Sequence, residues 1–285
     1  MKKGFTLIEL SIVLVIIGLI VGSILTGQEL IRAAEIRATI SQLEKFNSAV
    51  NTFRSKYGGL PGDLIYTQAQ AFGFYTFGAG CGNGAGTTGC GDGNGLLEFG
   101  LSAAQGEVLA FWRHLSDANL INGSFGSAGN SLLTSSGLPT NNVTNVSQSL
   151  PPAKIGQGAY WVAFAGIDTT PGVPSDRGSN YFELLQVQSL QNTPGYYATG
   201  SGALSPIQAY NIDTKLDDGM PNTGRVVDRI SAPDISPSAS SVPTANVCLI
   251  GDSIPTVLTD PTDTYNLNNS IGGNDLSCNL RFRFQ

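Results

Sequence analysis

The chain has 285 residues, with 15 Lys and Arg against 21 Asp and Glu, one histidine and four cysteines. Charged residues make up 13 %, roughly half the ~25 % usual in soluble domains, and the 41 % hydrophobic content excludes wholesale disorder. The net charge of −6 argues against a dedicated nucleic-acid site, which needs Lys and Arg against phosphates, and a lone His114 excludes His-rich metal centres.

The N-terminus reads MKKGFTLIE, and no charge interrupts residues 10–28. That run is long enough for one bilayer crossing at roughly 20 residues. Lys2 and Lys3 precede it, which places the N-terminus in the cytoplasm by the positive-inside rule. A secretory signal has a shorter apolar core and a small-residue cleavage site. No such site follows here, and the helical pattern runs on into polar sequence. Glu9 sits at the edge of the apolar block, where an ionised carboxylate is costly and usually functional.

Lys3-Gly4-Phe5-Thr6-Leu7-Ile8-Glu9-Leu10 resembles the prepilin cleavage motif of type IV pilins and type II secretion pseudopilins. The resemblance implies that a membrane prepilin peptidase cuts after Gly4 and N-methylates Phe5. It also implies that Glu9 meets the Phe5 amine of a neighbouring subunit and sets axial register during assembly. Such a pair is weakly screened in hydrocarbon, and removing one partner strands a lone buried charge.

No proline occurs before Pro61, and Ile36, Ile40, Leu43, Phe46, Val50 and Phe53 recur at helical spacing. Glu35, Arg37, Glu44 and Lys45 fit the opposite, partly solvated face. The pattern predicts one helix from about Phe5 to Tyr57, stopped by Gly58-Gly59. Many relatives in the resembled family carry a softening proline in this region. Without one, local unwinding would fall at Gly18, Gly22 or Gly27. Gly18 and Gly22 also form a G-x-x-x-G pair that can permit close helix contact.

Beyond it come LPGDLIYTQAQAFGFY and a Gly-rich stretch ending GCGDGNG. A second helix is predicted from a Ser102/Gln105 capping box, with Val108, Phe111 or Trp112, and Leu115 on one face and Gly123 closing it. K-Y-x-x-L-P-G-D and E-x-x-x-x-W-x-H-L-S-x-A-x-L-I-x-G resemble a large-headed branch of pilin-like proteins. His114 reads as a partly buried packing residue, and residues 124–156 as a long surface excursion. Strands are predicted over Ala159–Gly166, Tyr181–Ser189, Val226–Ile230, Val247–Ile250 and Cys278–Phe284. In the last of these, Leu280, Phe282 and Phe284 alternate with Arg281 and Arg283. Ser205-Pro206 opens a short helix that ends at Gly219.

Four cysteines allow three pairings, of which Cys81 with Cys90 and Cys248 with Cys278 have the natural spacings. The family resemblance implies that the second pair staples the C-terminal strand. Asp213, Asp217, Asp218 and Gly219 form an acidic turn, and Asp92-Gly93-Asn94-Gly95 another. Some pseudopilins hold calcium in their heads, so Asp213, Asp217 and Asp218 are candidate calcium ligands, although turn and cap duty also explains them. Gly251-Asp252-Ser253-Ile254 resembles the start of a GDSL-type hydrolase block, but the one histidine precedes it rather than following it. The Gly78–Gly95 stretch lacks the Lys-Ser/Thr ending of a phosphate cradle.

The fold class expected is α+β: a long N-terminal helix, transmembrane in its first half, packed on an antiparallel sheet with inserted short helices. The expected organisation is a leader at 1–4, a membrane or filament-core helix at 5–28, a head-packing half at 29–57 and a periplasmic or extracellular head at 58–285. The function implied is a structural subunit without catalysis, held in the bacterial inner membrane and then built into a pilus or a secretion pseudopilus. Its implied partners are prepilin peptidase, other pilin or pseudopilin subunits and the inner-membrane assembly platform. The alternative is a membrane-anchored periplasmic binding or adhesin module that never polymerises.

Overall fold

The computed structural model describes residues 7–74, 91–97, 107–125, 146–165, 178–190, 197–199, 202–228, 248–250, 264–267 and 276–284. Helix α1 runs unbroken over Leu7–Tyr57, 51 residues, or about 76 Å at ~1.5 Å per residue. It continues through Gly18, Gly22 and Gly27 without a break. Gly58 ends it: its N–H donates to the Arg54 carbonyl at 2.9 Å and its φ of +80° is the left-handed stop that glycine adopts without strain.

The helix has two surfaces in sequence. From Leu7 to Ile31 its large apolar side chains are exposed, whereas Ile36, Leu43, Phe46, Val50 and Phe53 are buried. With the buried Thr39 between Ile36 and Leu43, the second set recurs every three or four residues and makes one stripe, which is what packing on a single neighbouring layer requires.

After α1 come α2 (Tyr66–Ala71), α3 (Glu107–Asp117) and a 3-10 turn at Val146–Gln148. Strands β1 (Ala159–Ala165), β2 (Asn180–Leu190) and β3 (Tyr197–Thr199) follow, then α4 (Pro206–Leu216) and β4 (Val226–Asp228). Strands β5 (Leu249–Ile250), β6 (Thr264–Tyr265) and β7 (Leu280–Arg283) complete the described elements. One antiparallel sheet has the order β1-β2-β7-β4, with β3 paired to the far end of β2, and β5 and β6 form a separate pair. The chain is thus α+β, a long helix with an antiparallel head and short helices.

Register explains how the sheet meets the helix. Phe182 lies opposite both Ala163 and Phe282, so these side chains share a face. On that face Phe46 of α1 packs 4.9 Å from Trp112, 5.8 Å from Trp161 and 6.0 Å from Phe182. A polar clamp sits beside the aromatics. Gln42 accepts from the Trp161 indole and the Lys154 backbone N–H, each at 3.0 Å, and donates to the Pro152 carbonyl at 2.9 Å.

Three features depart from the sequence reading. The alternate face of β7 is covered too: Arg281 is buried against Glu183 at 3.0 Å, and its guanidinium lies 4.7 Å from the Phe164 ring centroid. Glu183 stands directly opposite Arg281 in the sheet, so the cross-strand partner lets the charge be interior. The end of the expected surface excursion is also interior, with Leu150 and Ile155 buried. Its backbone groups are satisfied locally, Trp161 N–H donating to the Pro151 carbonyl and Ala153 N–H to the Ala159 carbonyl. His114 is fully buried rather than half so.

Candidate functional site

Gly4 and Phe5 lie outside the described residues, while Glu9 stands in the first turn of α1. A carboxylate there also suits the positive end of a helix dipole. Polar atoms inside the apolar run are handled by the helix itself. Ser11, Ser23 and Thr26 donate their hydroxyls to the Ile8, Leu19 and Gly22 carbonyls at 2.9, 2.8 and 3.0 Å. This is the arrangement hydrocarbon demands, since no water is present to accept those protons. The segment is long and apolar enough to cross a membrane, and none of its most apolar window is buried by the rest of the chain.

The head brings together the three acidic residues of the predicted turn. Helix α4 starts with a capping box: the Ser205 hydroxyl accepts from Gln208 N–H, and the Gln208 side chain accepts from Ser205 N–H at 2.9 Å. At its other end one carboxylate oxygen each from Asp213, Asp217 and Asp218 lies within 4.8 Å of the others. Asp213 accepts from the Tyr265 hydroxyl at 2.9 Å and Gly219 N–H at 3.3 Å. Asp217 accepts from the Arg225 N–H and, at 3.0 Å, from Val226 N–H. Asp218 accepts from Met220 N–H at 2.9 Å and the Thr223 hydroxyl at 2.6 Å. These bonds clasp α4 to β4 and β6. Burial, reinforced by the charges of Asp218 and Asp217, pushes the Asp213 carboxyl up to about 7. Burial chiefly, with the neighbouring Asp228 and Asp213 charges, raises Tyr265 as well.

Asp63 in the L-P-G-D turn was not singled out by the sequence, yet it organises the Asp92 loop. Its two carboxylate oxygens accept from Gly93 N–H at 2.8 Å and Gly95 N–H at 2.7 Å. Burial first, then the nearby Asp92, raises it to about 7 against the lowering effect of those two bonds. Gly62 is what allows the turn to close on α3. It has φ +88°, and a Cβ there would collide with the Glu107 carbonyl and lie 3.0 Å from the Phe111 nitrogen. Its N–H donates to His114 Nδ1 at 2.9 Å, and that imidazole stacks 5.3 Å from Phe74. The spacing of an LPGD turn before a tryptophan-histidine helix was the available signal for this contact.

Cys248 and Cys278 form a disulfide spanning 30 residues, tying β5 to the strand leading into β7. Leu204, just before α4, bridges to Cys278, so the staple holds three elements. Cys81, Cys90, Ser102 and the Gly251–Ile254 segment lie outside the described residues. Asp228 is buried beside the staple, accepting from Asn279 N–H at 2.8 Å, and burial raises its carboxyl well above the usual range.

Comparison with known proteins adds one positive finding. A family described as the prokaryotic N-terminal methylation motif matches residues 1–25. The match supports the type IV pilin and pseudopilin family, whose motif-bearing members are cleaved by prepilin peptidase and assemble with other pilin subunits. No curated protein and no solved structure matches the chain.

Proposed function

We propose that this chain is a prepilin: anchored in the inner membrane, cut between Gly4 and Phe5, N-methylated on Phe5, and drawn into a filament. The methylation motif over residues 1–25 carries the reading. An α1 whose Leu7–Ile31 apolar side chains remain uncovered by the head supports it. A helix that apolar needs another apolar environment, first lipid and then the same helices of neighbouring subunits.

Lys2 and Lys3 orient the span with the head in the periplasm. Glu9 neutralises the new amine of a neighbour at a depth where charge attraction is strong. The size of the head favours a minor pseudopilin or an insertion-bearing pilin over the main pseudopilin. Calcium on Asp213, Asp217 and Asp218 is a further proposal for the head. Their clustered oxygens are suitable donors.

Two variants test the reading. Gly4→Ala keeps its four-residue leader on the purified chain. Glu9→Ala is processed normally but is lost from sheared filaments by at least an order of magnitude, as expected when a buried charge loses its partner. Normal filament incorporation of Glu9→Ala contradicts the register role, and an anchored but unpolymerised wild-type chain favours a tethered binding module.

A further inference from the structure

Closing the Cys248–Cys278 staple requires a thiol to lose its proton inside the head. Both cysteines are buried, Cys248 at 1 % and Cys278 at 0 % exposure. Only a thiolate attacks a disulfide, and burial disfavours the thiolate. Asp228 stands at this point, with a carboxylate oxygen within 4.8 Å of both cysteine sulfurs. Its Oδ1 accepts from Asn279 N–H at 2.8 Å, which ties it to the residue after Cys278. Its Oδ2 is buried and has no hydrogen-bond partner among the described residues. Cys278 is held on the same strand, its N–H donating to the Leu204 carbonyl and its carbonyl accepting from Ala203 and Leu204 N–H, each at 3.0 Å. Cys248 immediately precedes β5, in a strand pair apart from the main sheet.

We propose that Asp228 accepts the Cys278 proton when the staple closes. Cys248 first exchanges with a disulfide-bearing oxidant, R–S–S–R, losing its own proton to solvent. It becomes the mixed disulfide Cys248–S–S–R, and R–S⁻ leaves. The Cys278 thiol then passes its proton to the Asp228 carboxylate, and the freed electron pair attacks Cys248 Sγ. The Cys278–Cys248 bond forms, the bond from Cys248 to the R–S group breaks, and the second R–S⁻ takes a proton from water. The cysteine pair is oxidised by two electrons, the oxidant is reduced to two thiols, and Asp228 is left as a carboxylic acid. Its surroundings favour that form. Burial first, with the charges of Glu183 on β2 and Asp213 on α4, raises the carboxyl well above its usual range against the Asn279 bond. Tyr265 on β6 also faces this group and donates to Asp213, and Arg281 on β7 is engaged by Glu183 at 3.0 Å. A carboxylate raised in this way lies nearer to a thiol at ~8.5 than an ordinary one does, so the proton passes more readily.

The test follows the full chain in detergent, reduced and then given oxidised glutathione, with acid-quenched time points. Mass spectrometry of peptides reads loss of the glutathione adduct and gain of the Cys248–Cys278 bond. Asp228→Asn keeps an acceptor for Asn279 N–H but cannot take the thiol proton. Its closure at about pH 7 is expected to be about a hundredfold slower than wild type, the lower end for a positioned base. The gap narrows towards about pH 10, where the thiol ionises unaided. A variant that closes as fast as wild type, or faster, overturns the proposal, because the carboxylate then acts only as a like charge opposing the thiolate. An adduct that accumulates on Cys278 instead of Cys248 also overturns it. Should the reduced variant fail to fold, the wild-type profile decides. A closure rate that levels off below the pH at which the thiols of the urea-unfolded chain ionise supports the transfer, and one that keeps rising through that pH overturns it.

Discussion

The two halves of α1 are one continuous helix with opposite demands on their side chains. Up to Ile31 apolar residues surround the axis, with Leu14 and Leu19 each 68 % exposed. From Ile36 to Phe53 a single apolar stripe is buried, and Phe53 is fully covered. Helix geometry is the same in both, so the difference lies in what surrounds each: an all-round apolar surface fits lipid or other helices, and a stripe fits one partner layer. Gln42 marks the contrast in polar chemistry. In the second half a glutamine reaches across to the head, while in the first half Ser11, Ser23 and Thr26 turn back on their own helix.

Substitution in the stripe should have the largest effect. Phe46→Ala removes the ring around which Trp112, Trp161 and Phe182 pack. It is expected to cost the head about 3–5 kcal/mol, read by denaturant unfolding. Breaking the staple comes next. Cys278→Ser, with a loop of 30 residues released, should cost about 3–4 kcal/mol by the chain-entropy estimate. It should leave the processing of the first half unchanged.

A third effect separates the halves by pH. Asp63 and Asp213 are raised from 3.8 to about 7 in the folded head. Between those values the folded chain keeps protons that the unfolded chain has released, so stability is full below about 3.8 and falls as pH rises towards 7. Asp213→Asn should flatten that slope in thermal midpoints of the head. Calcium bound at this cluster would instead raise the wild-type midpoint above pH 7, where it no longer competes with the proton. Leu14→Ala should give the smallest change, within about 0.5 kcal/mol for the head, because the side chain is 68 % exposed. A large loss there would break the two-environment description of α1.

Much of this was legible in local sequence. The α1 stripe, its Gly58 stop, the Ser205-Pro206 helix start and the main strands all follow from spacing and terminal residue chemistry. The Asp213–Asp218 cluster was legible as well, because its carboxylates sit on adjacent turns. What escaped were contacts between distant residues of ordinary type. Arg281 meets Glu183 across 98 positions, and Gln42 meets Trp161 across 119. Asp63 meets Gly95 across 32. Periodicity places a residue on a face, but it does not say which other segment will cover that face. Arg281 therefore reads as an outward charge until the register of β2 against β7 sets a carboxylate opposite it.

The central claim, that the first half of α1 begins as a processed and methylated filament helix, meets its most direct test in the intact mass and terminal fragment ions of the mature chain. The mature chain is expected to have lost Met1–Gly4 and to start with N-methylated Phe5. A mature chain that still begins at Met1, or starts at Phe5 without the methyl group, contradicts it.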